Sequence, residues 1–144
     1  MRFPWPTAVV FVVLAGPPVI AQGANLVSFP MKNGMVEFVM PSKNMECTFV
    51  PKQTPVYMPT GGGPELTCDR RDPTYVRVVL GPTKAAERID NPGEQPCCGV
   101  ENIFEYGRTW VGGPFTCKSA ATGLTCRHTN GHGFFMSQKR VEVH

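Results

Sequence analysis

No stretch of this 144-residue chain is apolar for long enough to cross a bilayer as a helix. The longest apolar run, residues 8–15, is about half of the ~20 residues that a span requires. Charge of one sign is missing too. Fourteen Lys and Arg stand against eleven Asp and Glu, and Arg70-Arg71 and Lys139-Arg140 are the only adjacent basic pairs. So mild and scattered a balance gives no footing for nucleic acid or an anionic membrane surface. Chemistry-bearing patterns are equally scarce. No serine sits in a Gly-x-Ser-x-Gly elbow, and Gly61-Gly62-Gly63 lacks the Lys-Ser/Thr and the helix of a phosphate loop. Helical periodicity, internal repeats and low-complexity tracts are not visible. The first 46 residues contain no cysteine, whereas six follow.

What precedes those cysteines reads as an export signal. Arg2 supplies a positive n-region, residues 8–15 an apolar h-region, and Val19-Ile20-Ala21 small or short residues at a cleavage site. Cleavage is expected after Ala21, with Ala24 the next choice. Residues 1–21 are then a cleaved signal peptide, residues 22–34 a lead-in ending in the turn dipeptide Asn33-Gly34, and residues 35–144 a single domain. The mature chain of about 123 residues has the size of one domain with one core. A periplasmic or secreted location follows, with no stable membrane span after cleavage. An oxidising compartment makes disulfides the first expectation for Cys47, Cys68, Cys97, Cys98, Cys117 and Cys126.

Fifteen glycines and fifteen prolines argue for many turns and against long helices. Period-2 alternation marks strands at residues 35–40, 45–50, 66–69 and 74–80. In the last of these Tyr75, Arg77 and Val79 share one face, and Val76, Val78 and Leu80 the other. Residues 82–89 are expected to form a helical turn or two, and residues 51–65 and 90–101 long loops. Five short strands follow, at 108–111, 114–119, 124–128, 132–137 and 139–143. A hairpin centred on Ala121-Thr122 places Cys117 opposite Cys126 and Ser119 opposite Leu124. Asn130-Gly131, read as a two-residue type I′ turn, places Arg127 opposite Phe134 and Cys126 opposite Phe135. One face then collects Phe115, Cys117, Leu124, Cys126 and Phe135 as a core stripe. The expected fold class is all-β: a small antiparallel sandwich or partly open barrel with a C-terminal meander, stapled by disulfides.

Pairing neighbours in a run of hairpins gives Cys47–Cys68 and Cys117–Cys126. Cys97 and Cys98 remain, bonded either to each other or to two other cysteines, and six cysteines permit fifteen pairings. A strained bond between adjacent cysteines would be easily reduced, which motivates a redox-responsive alternative centred on Cys97-Cys98.

Catalytic constellations are thin. His128 and His132 are four apart, but the segment HTNGH holds a hairpin turn that directs them to opposite faces, so no metal site is expected. Glu101 with Glu105, and Asp69 with Asp72, read as solvated surface charge. No catalytic residue, cofactor or metal ligand is assigned. Phe104, Tyr106 and Trp110 cluster around a Gly107 turn and form the candidate binding patch, since Trp and Tyr are enriched among binding hot spots.

The block YGRTWVGGPFTCKSAATGLTCRHTNGHGFFMSQK, residues 106–139, resembles a family of small exported bacterial proteins known mainly as a domain of unknown function. The matching positions are Tyr106, Gly107, Trp110, Phe115, Cys117, Ser119, Gly123, Cys126, Gly131, Gly133 and Phe134. Residues 40–49 and 66–70 are similar to the N-terminal half of that family. The resemblance implies an autonomous, disulfide-bearing extracytoplasmic domain, and brings no activity, cofactor or catalytic residue with it. The functional expectation is a non-enzymatic binding or envelope-associated module, whose partner is an envelope protein or other extracytoplasmic ligand. The alternatives are a secreted enzyme or enzyme inhibitor acting through residues 90–106, and the redox-responsive domain.

Overall fold

The computed structural model describes residues 1–4, 16, 25–96 and 99–144. The export segment and the adjacent Cys97-Cys98 pair therefore fall wholly or partly outside the described residues. Among those described there is no α-helix and no helix long and apolar enough to cross a membrane; a 3-10 turn lies at Thr60–Gly62.

Among the described residues eleven strands form two sheets. The first sheet is a meander of β2 (Val36–Val39), β3 (Met45–Val50), β4 (Glu65–Arg70), β5 (Val76–Leu80) and β6 (Glu87–Asp90), in that order. The second runs β7 (Thr109–Gly112), β8 (Phe115–Ala120), β9 (Gly123–His128), β10 (Gly133–Met136) and β11 (Val141–Val143), again in sequence order. Strand β1 (Leu26–Val27) adds to the β7 edge in parallel. The fold is thus all-β, two packed sheets that are antiparallel apart from the β1–β7 pair, without barrel closure among the described residues.

Alternation explains which side chains face inward. Val76, Val78 and Leu80 are fully buried while Arg77 and Val79 face outward, as expected for β5. The inward faces meet in a string of aromatic contacts. Phe38 lies 5.1 Å from Phe104 and 5.0 Å from Trp110, and Phe49 lies 5.3 Å from Trp110 and 5.8 Å from Phe115. Phe29, from the lead-in, stacks on Phe38 at 5.4 Å, so the segment before residue 35 contributes to the core.

Both expected disulfides are present. Cys47–Cys68 joins directly opposed residues of β3 and β4, and Cys117–Cys126 does the same for β8 and β9. The Cα atoms are 4.1 Å apart in each, the close approach of a non-hydrogen-bonded antiparallel pair. Two buried disulfides point to an oxidising environment.

A repeat of wiring becomes visible where the sequence shows none. Each meander carries its disulfide between its second and third strands. Phe38, Cys47, Cys68 and Val78 form one cross-strand row, and Trp110, Cys117, Cys126 and Phe134 form the other. The rows face each other through the Phe38–Trp110 contact. Little sequence survives at equivalent places beyond Leu66-Thr67-Cys68 and Leu124-Thr125-Cys126.

Two local expectations are corrected. Residues 82–89 form no helix; bends lead into β6, whose residues complete the edge of β5 through Val79–Glu87 and Arg77–Ile89 pairs. Tertiary pairing overrides the weak helical preference of Lys84-Ala85-Ala86. The Asn130-Gly131 turn is one residue longer than expected. His128 N–H donates to His132 O at 2.8 Å and Gly131 N–H to His128 O at 3.0 Å, with only Gly131 at positive φ. This is a three-residue loop with a glycine bulge, not a type I′ turn. Asn130 spends its side chain on the loop itself, accepting from His132 N–H at 3.0 Å. Arg127 therefore faces Gly133 and Cys126 faces Phe134. A slip of one residue exchanges the faces of a strand. Phe134 and Met136 consequently enter the core, and Phe135 turns outward beneath the Arg140 guanidinium.

Candidate functional site

The side of the first sheet that turns away from the core carries two buried carboxylates. Outward alternation aligns Val39, Glu46, Asp69, Arg77 and Ile89 in one cross-strand row, and Glu37, Thr48, Thr67, Val79 and Glu87 in the next. Such a face is ordinarily hydrated. Here Glu46 is only 7% exposed and Asp69 only 6%.

Covering segments cause this. Residues 102–104 run along the free edge of β2: Val39 N–H donates to Asn102 O, and Phe104 N–H to Val39 O, both at 2.8 Å. Tyr57 approaches from the loop after β3, and Pro96 and Val100 from the loop after β6. Together with the strand residues they enclose a groove of about 320 Å3. Its floor is polar and its walls are largely apolar.

The floor is a fixed lattice of charge. Asp69 Oδ1 accepts from Tyr75 Oη and from Arg77 Nε, each at 2.8 Å, and Arg77 Nη2 donates to Tyr75 Oη at 2.9 Å. Glu46, directly opposite Asp69, accepts from Arg71 Nη2 at 2.6 Å. Glu65 takes the Thr60 N–H at 2.7 Å on one oxygen and the Thr67 hydroxyl at 3.3 Å on the other. Burial, with the hydrogen bond to Asp69, pushes the Tyr75 phenol up to about 12. The hydrogen bond to Asp69 likewise raises Arg77, so the phenol stays neutral and the guanidinium charged at any physiological pH.

Glu46 behaves differently. Burial raises its pKa above the usual carboxylate value, and Arg71 offsets this only in part; Asp69 and Glu37 push in the same direction as burial. A group whose folded pKa exceeds its unfolded one binds more protons when folded. Its contribution is therefore favourable below that window and is lost as pH rises through it. Glu46→Gln removes the effect and, because the Arg71 pair is partly exposed, sacrifices about 1 kcal/mol or less of ion pairing. Denaturant titrations between about pH 4 and pH 8 should show the wild type losing stability relative to the glutamine variant as pH rises above the ordinary carboxylate range. A wild type that gains on the variant with rising pH would contradict the assignment.

The residues singled out from the sequence are dispersed. Of the aromatic patch, Phe104 (0% exposed) and Trp110 (3%) belong to the core, and only Tyr106 (43%) reaches the surface. The physical reason is their place in the fold: Phe104 is pinned to the β2 edge and Trp110 alternates inward on β7. Glu101 lies 4.0 Å from Lys32 at the surface, and Glu105 is exposed. Of the Asp69 and Asp72 pair, Asp69 enters the lattice, whereas Asp72 sits in a turn where its N–H donates to Asn44 Oδ1 at 2.7 Å. His128 packs edge-on against Phe115 at 5.2 Å, and the corrected loop sets it across from His132. Among the described residues no three His, Cys, Asp or Glu gather to hold a metal ion. Cys97 and Cys98 lie outside the described residues, so the redox alternative and their pairing have no geometry to stand on. Glu46, Arg71 and Tyr75 are lattice members that sequence reasoning did not assign to a site.

Searches of family models, curated proteins and solved structures find no match to this chain. Three of the groove's carboxylates, Glu46, Glu65 and Asp69, are engaged by guanidinium, phenol, hydroxyl and backbone donors.

Proposed function

We propose that the protein is an exported, non-enzymatic binding module of the cell envelope, and that its ligand seats in the groove on the outer face of the first sheet. One observation carries the reading: two carboxylates, Glu46 and Asp69, are buried on a sheet face that the fold did not need to cover. A chain departs from hydrophobic-in, polar-out patterning mainly where function requires it. The lattice makes that face rigid, and a preorganised polar surface loses little freedom on binding. Export and an oxidising location are supported by the N-terminal signal pattern and by the two buried disulfides.

The test is backbone amide NMR of the disulfide-bonded protein titrated with a dialysed envelope extract. Signals from Glu46, Thr48, Thr67 and Asp69 are expected to move. Thr67→Trp, which fills the groove from a solvent-side position, should abolish the movement while leaving the rest of the spectrum folded. Perturbations confined to the opposite sheet, or unchanged in the tryptophan variant, would overturn the reading.

A further inference from the structure

We infer that the groove takes a neutral, polyhydroxylated ligand, a short saccharide; this deepens the proposed function and rests on it. Asp69 is matched by Arg77 and Glu46 by Arg71, at 2.8 and 2.6 Å. An anion would meet Glu37, Glu46, Glu65 and Asp69, and a cation on the floor would have to compete with Arg71 or Arg77 for a buried carboxylate, which is costly. A hydroxyl ligand need not. It donates to lone pairs that a carboxylate retains after one partner is bound, and it accepts from hydroxyls in turn.

Such groups are present where a ring would lie. Glu46 Oε1 and the Thr48 hydroxyl line the groove and have no hydrogen-bond partner among the described residues, and the same holds for the Tyr57 hydroxyl at the wall. Glu37, at the open rim, has none on its carboxylate either. The second match is shape and polarity. A sugar ring is polar at its hydroxyl edge and apolar on its C–H faces. The groove repeats that division, with a floor of carboxylate and hydroxyl and walls of Tyr57, Val50, Pro96 and Val100. Its volume of about 320 Å3 stands at the small end of ligand pockets and suits one or two rings.

The experiment uses the full disulfide-bonded protein and four probes at millimolar concentration: maltose, cellobiose, N,N′-diacetylchitobiose and its cationic, deacetylated counterpart chitobiose. Amide signals of Glu46, Thr48 and Thr67 should shift with at least one neutral disaccharide. Thr48→Val, which removes a hydroxyl and keeps the shape, should weaken that binding about three- to tenfold, the worth of one hydrogen bond. Tyr57→Ala should weaken it further, with the rest of the spectrum unchanged in both variants. Binding by the cationic disaccharide alone would overturn the ligand class. So would silence toward all four probes from a protein whose groove signals still respond to envelope extract, an outcome that leaves the proposed function standing. Shifts that ignore both substitutions would overturn the site.

Discussion

Replacing Cys47, Cys68, Cys117 and Cys126 together by alanine is expected to unfold the protein at room temperature. The bonds close loops with sequence separations of 21 and 9 residues. Restricting the unfolded chain by loops of that size contributes about 3.4 and 2.7 kcal/mol, roughly 6 kcal/mol in all. A domain of this size has a net stability of only about 5–15 kcal/mol. Each bond also ties the second strand of a meander to the third, at the centre of the cross-strand row that faces the other sheet. Removing one pair should leave a folded protein with a lower denaturant midpoint, Cys47→Ala/Cys68→Ala losing more than Cys117→Ala/Cys126→Ala because its loop is longer. Near-ultraviolet circular dichroism and urea titration of the three variants measure this. A fourfold variant with a native spectrum and an unchanged midpoint would show that packing alone holds the sheets.

How far the sequence reaches is best judged from those same cysteines. Once Cys47 is set opposite Cys68, the register of β3 on β4 is determined, and Glu46 must fall opposite Asp69. Alternation in residues 74–80 already placed Tyr75 and Arg77 on one face. The lattice was therefore legible in outline, from a disulfide pair and a period-2 pattern. What was not legible was its burial. Outward carboxylates are solvated unless something covers them, and the covering comes from Tyr57, Pro96 and Val100, in proline-rich loops whose paths no local pattern encodes. The hairpin at Asn130-Gly131 shows a sharper limit. The dipeptide serves a two-residue turn or a three-residue loop with a glycine bulge, and the choice moves every later side chain to the opposite face. At Asn33-Gly34 the same dipeptide does adopt two successive positive φ angles, 52° and 80°, between the bridged Lys32 and Met35. The core requirement for Phe134 and Met136, not the turn residues, decides the case at 130–131.

Trp110 separates the two readings of the aromatic cluster most cleanly. Had it belonged to an exposed binding patch, Trp110→Ala would leave stability nearly untouched and remove binding. The structure places it between the sheets, 5.0 Å from Phe38 and 5.3 Å from Phe49, with Val27 of β1 paired beside it. Its ring also occupies the space over Gly112, where an added Cβ would overlap it. Truncating so large a side chain in a filled core costs about 3–5 kcal/mol, through lost burial and the cavity left behind. Tyr106, at 43% exposure, provides the internal comparison: Tyr106→Ala should change stability by only about 0.5 kcal/mol. Urea titrations of the two variants, with equal slopes to confirm that both remain two-state, give the result directly. A Trp110→Ala midpoint equal to that of Tyr106→Ala would mean that the rings of Phe38 and Phe49 do not depend on it, and that the sheets are held together elsewhere. The expected large loss for one aromatic and near-indifference for the other follows from a single fact: alternation on β7 turns Trp110 toward the disulfide row and leaves Val111 outside.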